Sequence, residues 1–273
     1  MREVTDIREI QQIVLNITKY VVNICEEHNL RYLLTGGTLL GAIRHQGFIP
    51  WDDDIDLCMP RPDYDKLIEI LEKTDNSRFK LLQFGEGNYY YPYIKIVDTR
   101  TKVIEHIREE EIPDLGLYID IFPLDGFGNE LNTAKKQFLF KTKPCYWIVN
   151  ASVKPSDRPL HKRIFYFFWN LFGKRFSSKK EFFEYYSNKL RKLPYDKSTY
   201  VCSTFGLHGT AEMLERSYFE LTDAKFEDTT FKIPAGYDKY LTRLYGDYMQ
   251  LPPEDQRVVT HDTTIYADDS LLS

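Results

Sequence analysis

The stretch that most constrains this chain is residues 35–60, TGGTLLGAIRHQGFIPWDDDIDLCMP, where a glycine pair opens a helical pattern and a run of aspartates leads into an apolar strand. Carboxylates are costly in an apolar strand unless a cation or a hydrogen-bond partner offsets their charge. Side chains alternate along a strand, so Asp52, Asp54 and Asp56 are expected on one face and Asp53, Ile55 and Leu57 on the other. Three like charges on one face ask for a divalent metal. A solvated acidic turn would not continue as Ile55-Asp56-Leu57-Cys58-Met59. Upstream, Gly36-Gly37 lies between a short apolar strand, 31–35, and the helical spacing of 38–44. Free amides and the helix dipole converge there, and glycine lets an anion approach the backbone closely. An isolated Gly-Gly would be read as a plain turn; beside a metal-type acidic strand it suits a phosphate.

The rest of the chain supplies scaffold and further site residues. Ile7, Ile10, Val14, Ile17, Val21 and Cys25 recur at helical spacing over 4–29, with Asn29 as a stop. Arg61-Pro62-Asp63 opens the next helix, and 79–84 and 89–98 read as strands around the turn 85–88. Lys95 alternates with Ile94 and Ile96, which puts it either at a sheet edge or in a polar site where it could meet phosphate. Asp120, inside the apolar strand Leu117–Phe122, is expensive without a partner and is the expected third metal carboxylate, whereas Asp125-Gly126 reads as turn chemistry. Helical runs fill 132–193, with a proline-bearing loop or boundary at 152–163, and Tyr237, Leu241 and Leu244 fit a short helix. His208 is assigned no role.

Composition excludes several function classes. The net charge of −5 gives no case for nucleic-acid binding. Residues 154–192, however, carry eleven Lys and Arg against three acids, interleaved with aromatic residues over 162–175. That pattern covers a core in most proteins, and it also suits an anionic membrane surface. Cys25, Cys58, Cys145 and Cys202 are scattered without zinc or disulfide spacing, as expected of buried thiols in a reducing compartment. No apolar run reaches the roughly 18–20 residues of a membrane span, and the N-terminal residues are too charged for a signal peptide. A cytoplasmic protein, peripheral at the inner face of the cell membrane, is expected.

Four blocks, GGTLLGAIRHQGFIPWDDDID, YPYIKIVDTRT, GLYIDIFPLDGF and LYGDYMQLPPEDQR, together resemble the LicD/fukutin-related family of phosphotransferases. The resemblance implies an α+β, nucleotidyltransferase-like mixed sheet with flanking helices. The N-terminal helix and the basic aromatic insert lie outside the resemblance; a catalytic core at 1–130, a helical basic and aromatic insert at 131–198 and a segment at 199–273 completing the catalytic domain are expected. The resemblance implies transfer of phosphocholine, or a similar phospho-alcohol, from a CDP-activated donor such as CDP-choline to a lipid-linked glycan acceptor such as teichoic acid or lipopolysaccharide. Animal relatives look like users of CDP-ribitol. On this sequence the motif positions fall on Gly36, Gly37, Asp54, Asp56 and Asp120. Joining both lines, Asp54, Asp56 and Asp120 would hold Mg2+ or Mn2+, and Asp52 or Asp120 would accept a proton. Gly36, Gly37, Thr38, Arg44 and Lys95 would bind the donor phosphates. A quaternary ammonium is held by aromatic faces, for which Trp51, Tyr89, Tyr91 and Tyr93 are the candidates near the site.

Two other classes use similar acids. A sugar-nucleotide glycosyltransferase also employs Asp-x-Asp, but gives no reason for a Gly-Gly seventeen residues before Asp54. A calcium-binding module would space its ligands around a loop rather than run them into a strand.

Overall fold

The structure, a computed structural model, describes residues 1–107, 110–151, 178–206, 208–259 and 261–271, with backbone alone at 143–151 and 179. The stretch 152–163, the aromatic run 162–175 and most of the surface expected to meet a membrane lie outside the described residues. So does the side chain of Cys145; Cys25, Cys58 and Cys202 are free, buried thiols.

The chain begins with β1 (Arg2–Glu3) and α1 (Ile7–Glu27). Asp6 caps α1 by accepting from the Arg8 amide at 2.8 Å, and Asn29, at φ 53°, turns the chain just beyond it. The apolar stripe Ile10, Val14, Ile17, Val21 and Cys25 is buried, as its spacing predicts, while Ile7 is only half-buried. Then come β2 (Leu33–Leu34), α2 (Gly36–His45), β3 (Asp56–Pro60), α3 (Arg61–Leu71), β4 (Phe79–Leu82), β5 (Ile94–Asp98), β6 (Thr101–Glu105) and β7 (Tyr118–Gly126). Helices α4 (Leu131–Ala151) and α5 (Lys179–Leu190) lead to β8 (Tyr200–Ser203) and β9 (Leu214–Glu215). The hairpin β10 (Leu221–Phe226) and β11 (Thr229–Pro234), α6 (Tyr237–Tyr245) and β12 (Thr263–Ala267) follow.

The main sheet has the order β2-β3-β7-β5-β4, with β8 pairing the far end of β7 and β9 pairing β8. Only β3 and β7 run parallel among the described pairs of this mixed sheet. A second sheet, β1-β12-β6, stands beside it. The molecule is α+β, and the inner face of the sheet buries Leu57, Ile96, Ile119 and Ile121 in one core with α1. No described helix is long and apolar enough to cross a membrane.

Three local expectations change. First, the strand expected from Asp52 starts at Asp56, because parallel pairing with β7 begins where the Asp120 amide donates to the Ile55 carbonyl at 3.0 Å. Residues 52–55 approach it as irregular backbone, so strict alternation does not govern Asp52 to Asp54. Second, the strand expected from Tyr89 starts at Ile94, since Gly85 and Tyr89 close a tight turn through the bond from the Gly85 amide to the Tyr89 carbonyl at 2.9 Å. Third, Asp125 is not in a turn: it lies buried in β7, held by Arg61. An acid followed by glycine has the composition of a turn, and its distant partner on α3 is invisible locally.

Candidate active site

The register of three adjacent strands builds the site. Asp56 on β3 is the cross-strand partner of Asp120 on β7, and Lys95 on β5 is the partner of Asp120 from the other side. Residues opposite one another in a ladder point to the same face, so the three charged side chains form one row. Lys95 Nζ donates to Asp120 Oδ1 at 2.5 Å, with Lys95 only 1% exposed. Strand β5 is flanked by β4 and β7, so Lys95 sits in the polar site and not at an edge. Its ammonium lies 3.3 Å from the centre of the Tyr118 ring and 5.0 and 5.6 Å from those of Tyr91 and Tyr93, a favourable place for a buried cation.

A cavity of about 270 Å³ opens over this row, lined by Asp54, Asp56, Asp120, Lys95, Tyr91, Tyr93, Tyr118 and His261. The glycine pair reaches the same acids from the other side. A Cβ on Gly36 would lie 3.4 Å from Asp56 Oδ2, and one on Gly37 would lie 3.2 Å from Asp52 Oδ2. Gly36 also has φ +56°, so it carries both a close approach and a left-handed backbone that other residues resist.

Electrostatically the site is a set of carboxyl groups held against their preference. Burial, then Asp54, pushes Asp52 up to about 8. Burial raises Asp54, and it raises Asp56 further with help from Asp54, Asp120 and Asp52. Asp120 rises to about 6, because burial outweighs the attraction of Lys95. Asp52, Asp53 and Asp54 also bring one carboxylate oxygen each within 4.8 Å of one another. Clustered, partly buried oxygen donors of this kind fit a hard divalent cation, whose charge would relieve the repulsion.

The other sequence-nominated residues separate into those at the cavity and those elsewhere. Tyr91 and Tyr93 line it. Tyr89 is fully buried outside its lining and donates its hydroxyl to the Tyr93 carbonyl at 2.8 Å. Trp51 also lies outside the lining, edge-on to His45 and under the Arg257 guanidinium. Arg44 donates to the carbonyls of Tyr248 and Gln250 at 2.9 and 3.3 Å, tying down the loop after α6 and not facing the cavity. Thr38 accepts from the Asp56 amide at 2.9 Å, which fastens α2 to the start of β3.

Several participants carry no local sequence signal. His261, just before β12, has Nδ1 2.7 Å from Asp53 Oδ1 and Nε2 3.7 Å from Asp54 Oδ2, and the bond to Asp53 raises it to about 9. It therefore places positive charge beside Asp53 and Asp54. Tyr118 could have been noticed from its alternation with Ile119 beside Asp120; His261 becomes adjacent only through the β6–β12 pairing. Glu212, in the short 3-10 turn Gly209–Glu212, is a third, 3% exposed and raised to about 7 by burial.

Glu212 makes stability fall with pH. Its folded value lies above its ordinary 4.5, so the folded chain holds a proton that the unfolded chain has released. The associated stability is present below about pH 4.5 and is lost as pH rises through about 7, by about 3 kcal/mol. Urea unfolding of Glu212→Gln is expected to show a flatter profile across that window; an unchanged slope would refute the assignment.

Residues 29–167 match the family described as LicD/FKTN/FKRP, nucleotidyltransferase domain. Over 279 aligned positions the chain is 30% identical to the lipopolysaccharide cholinephosphotransferase LicD of Haemophilus influenzae, covering 97% of this chain and 99% of that protein. It is 29% identical over 144 positions to the ribitol 5-phosphate transferase FKRP of Homo sapiens, covering 44% of this chain and 29% of that protein. With a domain match over half its length and a relative aligned almost end to end, the chain belongs to the LicD family of phosphotransferases.

Proposed function

We propose that the protein moves phosphocholine, or a similar phospho-alcohol, from a CDP-activated donor to a hydroxyl of a lipid-linked cell-surface glycan precursor. The carrying observation is the Asp56–Asp120–Lys95 row beside the Gly36-Gly37 turn: acids for a metal and amides for a phosphate meet at one place. A nucleotidyltransferase-like core fits this arrangement and the family description. The relatives' names support the reaction class and leave two donor alcohols, choline and ribitol. Lipopolysaccharide, the acceptor named for the bacterial relative, and teichoic acid are the acceptor classes.

Asp54, Asp56 and Asp120 would hold Mg2+ or Mn2+, which when bound lowers the charge on the pyrophosphate and eases departure of CMP. The chain's own groups do the rest. The amides of Gly36 and Gly37 bind donor phosphate and hold it beside Asp56. Lys95 anchors Asp120 through their ion pair and adds positive charge at the cavity wall. The acceptor oxygen forms a bond to the phosphorus bearing the alcohol as that phosphorus loses its bond to CMP. Asp52, whose Oδ2 lies next to Gly37, or Asp120 would take the acceptor proton, Asp52 doing so once a bound cation offsets the burial and the neighbouring charge that keep it protonated. Tyr91 and Tyr93 line the cavity and are the rings placed to meet a quaternary ammonium. We read 131–198 as an insert whose basic composition over 154–192 suits an anionic membrane surface, and 199–273 as completing the catalytic domain.

The test is incubation with CDP-choline or CDP-ribitol, Mg2+, and lipopolysaccharide or lipoteichoic acid in anionic liposomes. CMP release and labelled acceptor are expected, and both should stop on chelation with EDTA. Absence of CMP from either donor would refute the proposal.

A further inference from the structure

The first turn of α2 lacks the cap its sequence provides for. Thr35 has the extended backbone of an N-cap, φ −136° and ψ 172°, yet makes no side-chain cap bond. Threonine at that position ordinarily accepts from the second or third amide of the helix. Elsewhere in this chain the rule holds: Asp6 accepts from Arg8 N and Ser178 from Glu181 N. Thr35 Oγ1 is instead drawn 2.8 Å from the Tyr240 hydroxyl, whose other partner is Glu212 Oε2 at 3.4 Å. Glu212 is itself fixed, accepting from the His208 amide at 3.0 Å through Oε1.

We propose that Tyr240 and Glu212 are positioning residues for the donor phosphate: they hold the Thr35 hydroxyl off the amides of Gly37 and Thr38, keeping those amides open to the ligand. This rests on reading Gly36-Gly37 as the donor-phosphate turn. A second observation places a polar ligand there. A small cavity of about 40 Å³ is bounded by Gly36, Gly37, Asp56, Ser203, Glu212 and Tyr240. Ser203 is 3% exposed, and its Oγ, beside the Cys58 thiol, has no nitrogen or oxygen hydrogen-bond partner among the described residues. A buried hydroxyl lining the same cavity as the uncapped amides can meet a ligand that they hold.

Without Tyr240 Oη, Thr35 is free to turn and cap its own helix, in competition with phosphate. Tyr240→Phe keeps the ring and its packing against Phe219, so the fold is retained. Calorimetric titration with CDP in Mg2+ is expected to show binding weakened about five- to tenfold in Tyr240→Phe. In turnover the donor KM rises by the same factor, with kcat within about twofold. The decisive comparison is with Thr35→Val, which has no hydroxyl to compete: Thr35→Val/Tyr240→Phe should bind CDP as Thr35→Val does. In ligand-free protein, amide exchange at Gly37 and Thr38 should slow in Tyr240→Phe. Equal weakening by Tyr240→Phe in both backgrounds would make Tyr240 a structural support and overturn the proposal, as would unchanged binding. Wild-type protein that binds no CDP would overturn the donor-site reading, and this inference with it, before any variant is compared.

Discussion

Asp56→Asn loses transfer activity by at least about a hundred- to a thousandfold while the folded protein becomes no less stable. The two outcomes share one cause. Asp56 opens β3 opposite Asp120, and burial together with Asp54, Asp120 and Asp52 raises it well above the carboxylate range. An amide of the same shape keeps the backbone bond to Thr38 Oγ1 but takes one charge out of a mutually repelling set. Stability is then expected to hold, or to rise by up to about 2 kcal/mol, a trade of stability against activity common at strained sites. Thermal unfolding with and without Mg2+ gives a second readout. Wild type should gain stability with added metal, because only the folded chain assembles the ligands, and Asp56→Asn should gain far less. Near-normal transfer by Asp56→Asn at saturating metal would remove Asp56 from the site.

Arg61→Ala should cost about 3–5 kcal/mol of folding stability, much of the margin of an ordinary domain. Arg61 begins α3 and forks onto Asp125 of β7, with Nε to Oδ1 at 2.8 Å and Nη2 to Oδ2 at 2.7 Å. The Thr204 hydroxyl also donates to Asp125, and the Arg61 guanidinium lies 5.1 Å from the centre of the Tyr64 ring. Removing the arginine leaves a buried carboxylate without its main partner, which is where the cost arises. Arg61→Lys should recover only part of it, since a point charge cannot reproduce a two-pronged bond. Arg61→Met/Asp125→Leu, which deletes both charges, should lose far less than the single variant. Denaturant unfolding measures all three; an Arg61→Ala loss below about 1 kcal/mol would show that the pair is not a structural clamp.

The parts of this molecule legible from sequence are those whose cause is local. The stripe of α1 is a spacing, and the Gly36-Gly37 turn is a conformational need of the backbone. Asp120 betrays itself as a charge inside an apolar strand. The row formed by Asp56, Asp120 and Lys95 was anticipated as a gathering of charges but not as a register, because register depends on pairing between strands far apart in the chain. Strand alternation sets Asp53 apart from Asp52 and Asp54, whereas the structure brings one carboxylate oxygen of each within 4.8 Å and pairs Asp53 with His261, a contact no local pattern announces. Trp51 and Tyr89 show the opposite limit: proximity in sequence placed two rings near the site, and their packing turned them elsewhere. Glu212 and Tyr240 gave no sign at all, since what distinguishes them is only what they touch.

Strand β7 carries Asp120 toward the cavity and, five residues later, Asp125 toward Arg61. An odd separation on a strand sends the two side chains to opposite faces. Its length is therefore as constrained as its buried apolar residues. Deleting one residue between the two acids would leave one of them correctly aimed and swing the other through the sheet, disarming either the reaction centre or the clamp. Insertions and deletions, which surface loops absorb readily, should be excluded from 120–125 in any functional library made from this gene.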